Sequence, residues 1–344
     1  MKLFVITIDT EADYGPGWVG ATPESYRNLL ELERVLLPIT ERWGAPVTLL
    51  LSGDVIERDA PSRLCEELSR KQGWELGAHL HGEFEEPQRR HLSPAGVRLK
   101  DMQCLYSQEM EHGKMAGIHG RFTRRFGYPP RSFRAGRYGV SERTLQICSQ
   151  LGYCVDSSVV PGVRFEEDGA VLDFRGHSVH PSLVDDPAGA IVEIPITVKP
   201  PVVRNRHGGS GGTNGGQELR AIGRNGLARR LGAGARHWAA RLAPKWVKAL
   251  RKPVWLRPTY SSSAEMAAVL RWLVRDRSER PIVANMMFHS NELLPGGSPY
   301  YTTEQQVRDF VERTTAVLDE APRLGFEFCT LTTAAQWVRA RLAA

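Results

Sequence analysis

Apolar segments of strand length alternate along the chain with segments of helical length. Residues 3–8 (LFVITI), 47–53 (VTLLLSG) and 281–289 (PIVANMMFH) are mostly apolar runs, which are typical of strands buried on both faces. Residues 61–71 and 303–318 are predicted helices. Repeated β-α units predict a parallel sheet covered by helices. The number of units favours a barrel, and an open doubly wound sheet is the alternative.

The same alternation continues over the rest of the chain. The other predicted strands are 74–81, 131–136, 153–159 and 190–197, and the other predicted helices are 93–126, 141–152 and 332–342. Hydrophobic residues make up 41% and charged residues 24% of the chain, which argues against a disordered protein. We therefore expect a single α/β domain over residues 1–344.

One segment differs in composition from the rest and is predicted to be an insertion, residues 204–258. Residues 207–216 (HGGSGGTNGG) are typical of a flexible linker. Residues 217–258 carry eleven Lys and Arg residues against one acid, Glu218, with Trp and Leu interleaved at roughly helical spacing. Three interpretations are open: a solvated helical cover, a peripheral anchor on anionic lipid, or a nucleic-acid surface. No recognised nucleic-acid-binding fold supports the last, so we expect no nucleic-acid partner.

Charge and cysteine content narrow the class of protein. The net charge is +6 and the pI about 9.1, which is basic but not extreme. The five cysteines include no CxxC pair, which argues against a disulfide framework and against a thiolate zinc site. At the N-terminus only FVITI is apolar before Asp9, too short for a signal peptide. We expect a cytoplasmic protein, peripheral at the inner membrane if residues 217–258 bind lipid.

Ionisable side chains stand where several predicted strands end. Asp9 and Glu11 close the first strand, His79 and His81 close residues 74–81, and His289 closes residues 281–289. Residues i and i+2 of a strand share a face, so each pair points the same way. In α/β barrels the reactive groups lie at the carboxyl ends of the strands. Two acids and two imidazoles at one such rim suit a divalent metal ion.

Each of these residues also has an ordinary structural explanation. The acids of the first strand could cap a helix, and the histidines could be hydrogen-bonded core residues. Arg134, which ends the strand RSFRAG, could form an ordinary ion pair, and Asp156 in YCVDSS could be a turn residue. Their joint placement at strand ends is what favours a catalytic rim.

Five short motifs in order resemble a known family. The sequence TIDTEAD, ELGAHLHGE, FRAGRYG, DSSV and FHSNEL is similar to the successive motifs of the polysaccharide deacetylases, the NodB-homology or carbohydrate esterase 4 family. The similarity is greatest to a cytoplasmic branch associated with cell-surface glycan genes. It extends from about residue 3 to 335. It implies a distorted (β/α) barrel and a divalent metal, usually zinc.

The resemblance also implies a reaction and a role for each matching residue. The reaction is hydrolysis of an N-acetyl group from an amino sugar of a surface glycan or its lipid-linked precursor. Asp9 matches the catalytic base and His79 the first metal-binding histidine. Arg134 matches the arginine that braces the base, and His289 matches the general acid.

The motifs depart from the family pattern at three places. The usual pair of adjacent aspartates is Asp9-Thr10 here, so Glu11 becomes the expected metal-binding acid. The usual second histidine, four residues after the first, is Glu83, so either His81 or Glu83 must replace it. The arginine motif RAGRYG lacks its usual proline.

The substrate is expected to lie near the arginine motif. Backbone N–H groups near Arg137 and Tyr138 are expected to stabilise the oxyanion, and these two residues with Asp156 are the predicted substrate-binding residues. Two other functions are open. One is an amide hydrolase for a small non-sugar molecule. The other is a non-catalytic glycan-binding barrel that lost its metal, which Glu83 would favour.

Overall fold

Strands and helices alternate along the chain, as the apolar pattern predicts. The computed structural model describes residues 1–14, 25–88, 102–167, 170–185, 189–201 and 252–343. The strands are β1 (Lys2–Thr10), β2 (Val47–Leu51), β3 (Glu75–Leu80), β4 (Ser132–Ala135), β5 (Val155–Asp156), β6 (Arg164–Glu167), β7 (Ala170–Asp173), β8 (Ser182–Val184), β9 (Ile191–Glu193), β10 (Val198–Lys199), β11 (Val254–Trp255), β12 (Val283–His289) and β13 (Phe326–Phe328). The helices are α1 (Arg27–Glu31), α2 (Leu37–Glu41), α3 (Gly53–Glu57), α4 (Asp59–Gln72), α5 (Gln108–Phe126), α6 (Glu142–Gln150), α7 (Ser263–Val274), α8 (Glu304–Arg323) and α9 (Leu331–Leu342).

The main sheet is parallel except at one edge. Its strand order is β12-β1-β2-β3-β4-β5-β9-β8, and β13 pairs with the start of β1. Only the β8–β9 pair is antiparallel in this sheet. Strand β1 is buried from its second residue onward, because it lies inside the sheet and its alternate side chains pack into core clusters on both faces.

The sheet curls until its two sides meet. Thr197, which follows β9, donates its backbone N–H to the carbonyl of Asn285 in β12 at 3.1 Å. The Asn285 N–H donates in return to the Thr197 hydroxyl at 2.8 Å. Apolar side chains of the strands and of the surrounding helices fill the core. The predicted α/β distorted barrel is thus confirmed.

Several boundaries differ from the sequence prediction. The helix predicted over residues 93–126 begins at Gln108, because the Ser107 hydroxyl caps it by accepting the Met110 N–H; residues 93–101 lie outside the described residues. Helix α7 was not predicted. It begins at a capping box formed by Ser262 and Glu265.

The predicted insertion 204–258 is described only in its last residues, since 202–251 lie outside the described part of the chain. The prediction of a helix was wrong for the described end, where β11 pairs antiparallel with β10. No helix among the described residues is long and apolar enough to cross a membrane.

Two acids lie side by side on neighbouring parallel strands. Asp156 of β5 is in register with Glu193 of β9, and both side chains are buried. Burial, reinforced by the neighbouring carboxyl, raises the pKa of Glu193 well above its usual range, although Arg134 opposes this. The folded state therefore holds a proton to higher pH than the unfolded chain does, and the free energy of unfolding falls as pH rises through that window.

We expect Glu193→Gln to remove this penalty. The free energy of unfolding of the variant should exceed that of wild type at pH 7 by about 1 kcal/mol, which is roughly the free energy that corresponds to one unit of pKa difference. It should also depend less on pH. Urea unfolding at several pH values measures both quantities. The control is Glu327→Gln, an exposed glutamate on β13, which should change neither. If the free energy of unfolding of Glu193→Gln depended on pH as that of wild type does, Glu193 would not be the group that holds this proton.

Candidate active site

The register of the sheet brings the predicted site residues together. Asp9 of β1 lies beside His289 of β12, and His79 of β3 lies beside Arg134 of β4. Glu11 and His81 follow directly after β1 and β3. All these residues stand at the carboxyl ends of parallel strands, so the expected rim exists as a spatial cluster.

A buried arginine holds the first acid in place. Arg134 is fully buried, and its Nη1 donates to Asp9 Oδ1 at 2.7 Å. Its Nη2 donates to Thr7 Oγ1 at 2.8 Å and to the Ser157 hydroxyl at 2.9 Å, and its Nε donates to the Ser157 carbonyl at 2.7 Å. Burial alone would raise the pKa of Asp9, but the charges of Arg134, His79 and His289 lower it below its usual value. Asp9 is therefore held as a carboxylate.

Three potential metal ligands converge next to Asp9. Glu11 Oε1 lies 3.0 Å from His79 Nε2 and 2.8 Å from His81 Nε2. The two Nε2 atoms are 3.1 Å apart. Burial raises the pKa of Glu11, but His81 and His79 outweigh it and hold that pKa well below the usual range. Glu11, His79 and His81 are the group among the described residues that could bind a metal ion.

The hydrogen bonding of His79 tests whether this group fits a cation. His79 Nδ1 lies 3.1 Å from the carbonyl oxygen of Arg134, which can only accept. The Nδ1 atom must therefore carry a proton, which leaves Nε2 as the nitrogen that faces Glu11 and His81. Glu11 Oε1 and the two Nε2 atoms lie about 3 Å from one another, so one cation in place of the imidazole protons would contact all three. The donor set thus fits a divalent cation.

Glu83 occupies a different position from the other ligands. Its buried carboxylate accepts from Arg137 Nη1 at 3.1 Å and lies 3.7 Å from His81 Nδ1. It therefore faces the nitrogen of His81 that points away from Glu11. Burial raises the pKa of Glu83, but His81 and Arg137 lower it far below its usual range. This geometry favours His81 over Glu83 as the third ligand.

His289, at the end of β12, places a second imidazole beside Asp9. His289 Nε2 lies 3.8 Å from Asp9 Oδ2, the same distance as His79 Nε2. On the other side of the ring, His289 Nδ1 lies 2.9 Å from Glu292 Oε1 and 3.0 Å from Arg257 Nη2. Contacts at Nδ1 thus fix the His289 ring, and Nε2 faces Asp9.

Glu292 and Arg257 form a buried ion pair that the sequence analysis did not identify. Arg257 also donates to Glu292, and Thr259 donates to the other oxygen of the same carboxylate. Burial raises the pKa of Glu292, but Arg257 and His289 lower it to about 2. Glu292 lies three residues after His289 in FHSNEL, a spacing that could have indicated it.

The position of Arg257 corrects one sequence prediction. It was counted in the basic segment 217–258, expected to be solvated or to face lipid. Its side chain is almost completely buried against Glu292 and His289. Arg257 therefore belongs to the site and not to a basic surface.

The turn after β4 has an unusual backbone. Arg137 and Tyr138 have φ angles of 52° and 58°, in the left-handed region that residues with a side chain seldom adopt. A Cβ at Gly136 would lie 2.6 Å from the Leu80 carbonyl and 3.0 Å from the His81 ring. The turn is therefore pressed against the end of β3, and glycine permits that contact.

The remaining predicted substrate-binding residues lie in different places. Tyr138 is half-buried, and its hydroxyl accepts from Arg257 Nη1 at 3.3 Å, so it lies near His289. Asp156 is fully buried and accepts from the Ser158 hydroxyl at 2.8 Å and from the Ser158 N–H at 2.9 Å. The structure does not bring Asp156 into the cluster around Asp9.

Known proteins resemble the chain in structure but not closely in sequence. No protein-family profile and no curated protein matches the sequence. A provisionally assigned polysaccharide deacetylase from Mycobacterium smegmatis is 13% identical, with a TM-score of 0.49, covering 92% of this chain and 79% of that chain.

Two further solved structures are less similar. The family 4 acetyl xylan esterase from Clostridium thermocellum, in complex with a cobalt ion, is 11% identical with a TM-score of 0.43, covering 98% of this chain and 91% of that one. The chitin deacetylase from Colletotrichum lindemuthianum is 11% identical with a TM-score of 0.42, covering 96% and 86%. At sequence identities this low, the comparisons do not identify the reaction, and the arrangement of the side chains is what indicates it.

We expect Gly136→Ala to weaken metal binding, because the new Cβ must displace the end of β3 that carries His81. Displacing a ligand's support typically lowers metal affinity by about 10–100-fold. Competition with a chromophoric chelator measures zinc affinity, and circular dichroism checks folding. The control is Gly120→Ala on α5, whose Cβ meets only the end of the Arg124 side chain at 3.4 Å. Equal zinc affinity in Gly136→Ala and wild type would contradict this placement of the metal.

Proposed function

We propose that the chain is a metal-dependent hydrolase of carbon–nitrogen bonds, which removes an N-acetyl group from an amino sugar. One observation carries the proposal. The convergent ligand atoms of Glu11, His79 and His81 adjoin the buried carboxylate of Asp9, which His289 also faces. A cation site, a base and a second imidazole within one cluster are the parts that amide hydrolysis needs.

The first part is the metal centre, for which Glu11, His79 and His81 are the proposed ligands and zinc the proposed metal. A divalent cation held there supplies a Lewis acid, which polarises a carbonyl group and lowers the pKa of water to about 7. The Arg134 carbonyl fixes the tautomer of His79, and Glu83 faces the outer nitrogen of His81. Both contacts orient the imidazole rings toward Glu11.

The second part is the base. Asp9 accepts the proton of the attacking water, since Arg134 and the neighbouring imidazoles keep it ionised. Arg134 also fixes one carboxylate oxygen, Oδ1, so that Oδ2 faces His79 and His289. Because Oδ1 is bound to Arg134, Oδ2 is the oxygen that takes the proton.

The third part is the acid. His289 donates a proton from Nε2 to the departing amine, while Nδ1 donates to Glu292. An amine is a poor leaving group unless it is protonated, so this transfer is needed for the C–N bond to break. Glu292 is a positioning residue, which sets the orientation of the ring. The strained turn at Arg137 and Tyr138 is the proposed place of the oxyanion N–H groups.

The substrate class comes from the sequence motifs. Their order supports an N-acetylated amino sugar of a surface glycan or of its lipid-linked precursor. Cytoplasmic location and contact of residues 217–258 with an anionic membrane stay predictions from the sequence, and Arg257 is excluded from that contact by its burial. The contact of His81 with Glu11 supports a metal centre over the alternative of a barrel without metal.

We expect Asp9→Asn to lose activity and keep its metal. Removing a general base typically lowers kcat by about 10²–10⁴-fold. Deacetylation of N-acetylglucosamine oligomers and the zinc content of the purified variants measure the two effects. Asp59→Asn, with a side chain 71% exposed, is the control and should match wild type in both. Full activity in Asp9→Asn would remove it from the role of base.

We expect Glu292→Gln to lower kcat for the acetylated sugar by about 10²-fold, a typical share for general acid–base catalysis, with KM nearly unchanged. The effect should shrink for p-nitrophenyl acetate, because the p-nitrophenolate leaving group needs no protonation. Glu292→Asp should recover part of the activity, since it keeps the charge beside Arg257. Glu312→Gln, on the exposed side of α8, is the control. Equal losses on both substrates would contradict the positioning role.

A further inference from the structure

A row of aromatic side chains leads from the candidate active site to the surface. The ring of Tyr138 lies 6.3 Å from that of Trp255, which lies 5.4 Å from Tyr260. Tyr260 in turn lies 5.7 Å from Tyr300. The row thus starts in the turn after β4 and ends on two segments that follow β11 and β12.

Arg257 connects this row to the proposed acid. Its guanidinium carbon lies 4.4 Å from the centre of the Tyr260 ring and 5.9 Å from that of Tyr300. The same guanidinium lies 3.0 Å from His289 Nδ1. The two tyrosines are therefore separated from His289 by a single side chain.

The outer end of the row is exposed to solvent. Tyr260 is 47% exposed, whereas Trp255 is 8% exposed. The hydroxyls of Tyr260 and Tyr300 lie 2.8 Å apart, within hydrogen-bond distance. Contacts with Trp255 and Arg257 fix the Tyr260 ring, so this surface is an ordered aromatic face with a polar edge.

The chemistry of this surface indicates its ligand. A pyranose ring has a face of C–H bonds and an edge of hydroxyl groups, which matches an aromatic face bordered by phenol hydroxyls. The positive charge of Arg257 is balanced by Glu292, so the surface favours a neutral sugar over an anionic one.

We propose that Tyr260 and Tyr300 form a subsite for the sugar next to the one that is deacetylated. This inference rests on the proposed function and extends it, because a second sugar subsite makes the substrate an oligosaccharide. The subsite lies on the His289 side of the metal ligands, since Arg257 joins it to that residue.

The test compares a long and a short sugar in the full-length, zinc-loaded protein. Calorimetry measures the Kd of tetra-N-acetylchitotetraose and of N-acetylglucosamine for wild type, Tyr260→Ala, Tyr300→Ala and Tyr260→Phe. Tyr128→Ala is the control, because Tyr128 is 42% exposed and packs on Phe122 and Phe126 of α5. Deacetylation of both sugars is measured in parallel.

We expect Tyr260→Ala and Tyr300→Ala to raise the Kd of the tetrasaccharide about tenfold, a difference of about 1.4 kcal/mol, and that of the monosaccharide less than twofold. Tyr260→Phe should keep most of the affinity, since it keeps the ring. Tyr128→Ala should bind both sugars as wild type does.

Three results would overturn the subsite. They are equal binding of the tetrasaccharide by wild type and both alanine variants, no binding of the tetrasaccharide by wild type, and an equal loss of affinity for both sugars in the alanine variants. None of them decides the proposed function, which fails separately if wild type binds zinc and deacetylates neither sugar.

Discussion

The structure depends on one fully buried cation, the guanidinium of Arg134. A buried charge is costly unless it is paired and hydrogen-bonded, and four hydrogen bonds join this guanidinium to Asp9 and Thr7 of β1 and to the loop residue Ser157. These bonds tie β4 to β1 and to the loop after β5 across the interior of the barrel. The same contact that satisfies the arginine also orients and ionises the proposed base. The side chain of Arg134 therefore contributes both to the stability of the barrel and to the ionisation of Asp9.

A second buried pair repeats this arrangement on the other side of the base. Arg257 and Glu292 neutralise each other, and the carboxylate then holds the ring of His289. Asp9 thus stands between an arginine that fixes one of its oxygens and an imidazole fixed by a separate ion pair. Each charge has a partner of opposite sign, so the low-dielectric interior strengthens the contacts and does not expel the groups. The two arginines are paired across long stretches of the sequence, whereas Glu292 reaches His289 from three residues away.

The difference between local patterns and long-range contacts explains which elements and site residues could be predicted from the sequence. Apolar runs identify strands, and the i, i+2 spacing of acids and imidazoles places them on one face, so the cluster around Asp9 follows from local pattern. Contacts between distant residues leave no such trace. Arg257 was counted with a basic segment because composition does not show which charge is buried. The start of α5 was missed because a single hydroxyl, that of Ser107, decides where the helix begins. The pairing of Asp156 with Glu193 likewise depends on the register of β5 with β9, which no motif specifies.

The buried acid at Glu83 is accommodated by the neighbouring arginine. An acid at this place would add negative charge to a cluster that already contains Glu11 and Asp9, but Arg137 pairs with Glu83 and offsets that charge. The acid then faces the outer nitrogen of His81, while the inner nitrogen faces Glu11. In the proposed metal centre, His81 thus serves as the third ligand and Glu83 lies on its outer side. Arg137, whose guanidinium pairs with Glu83, has a left-handed backbone conformation. Strain in that turn is compensated by the buried ion pair, which links the metal ligands to the proposed oxyanion site.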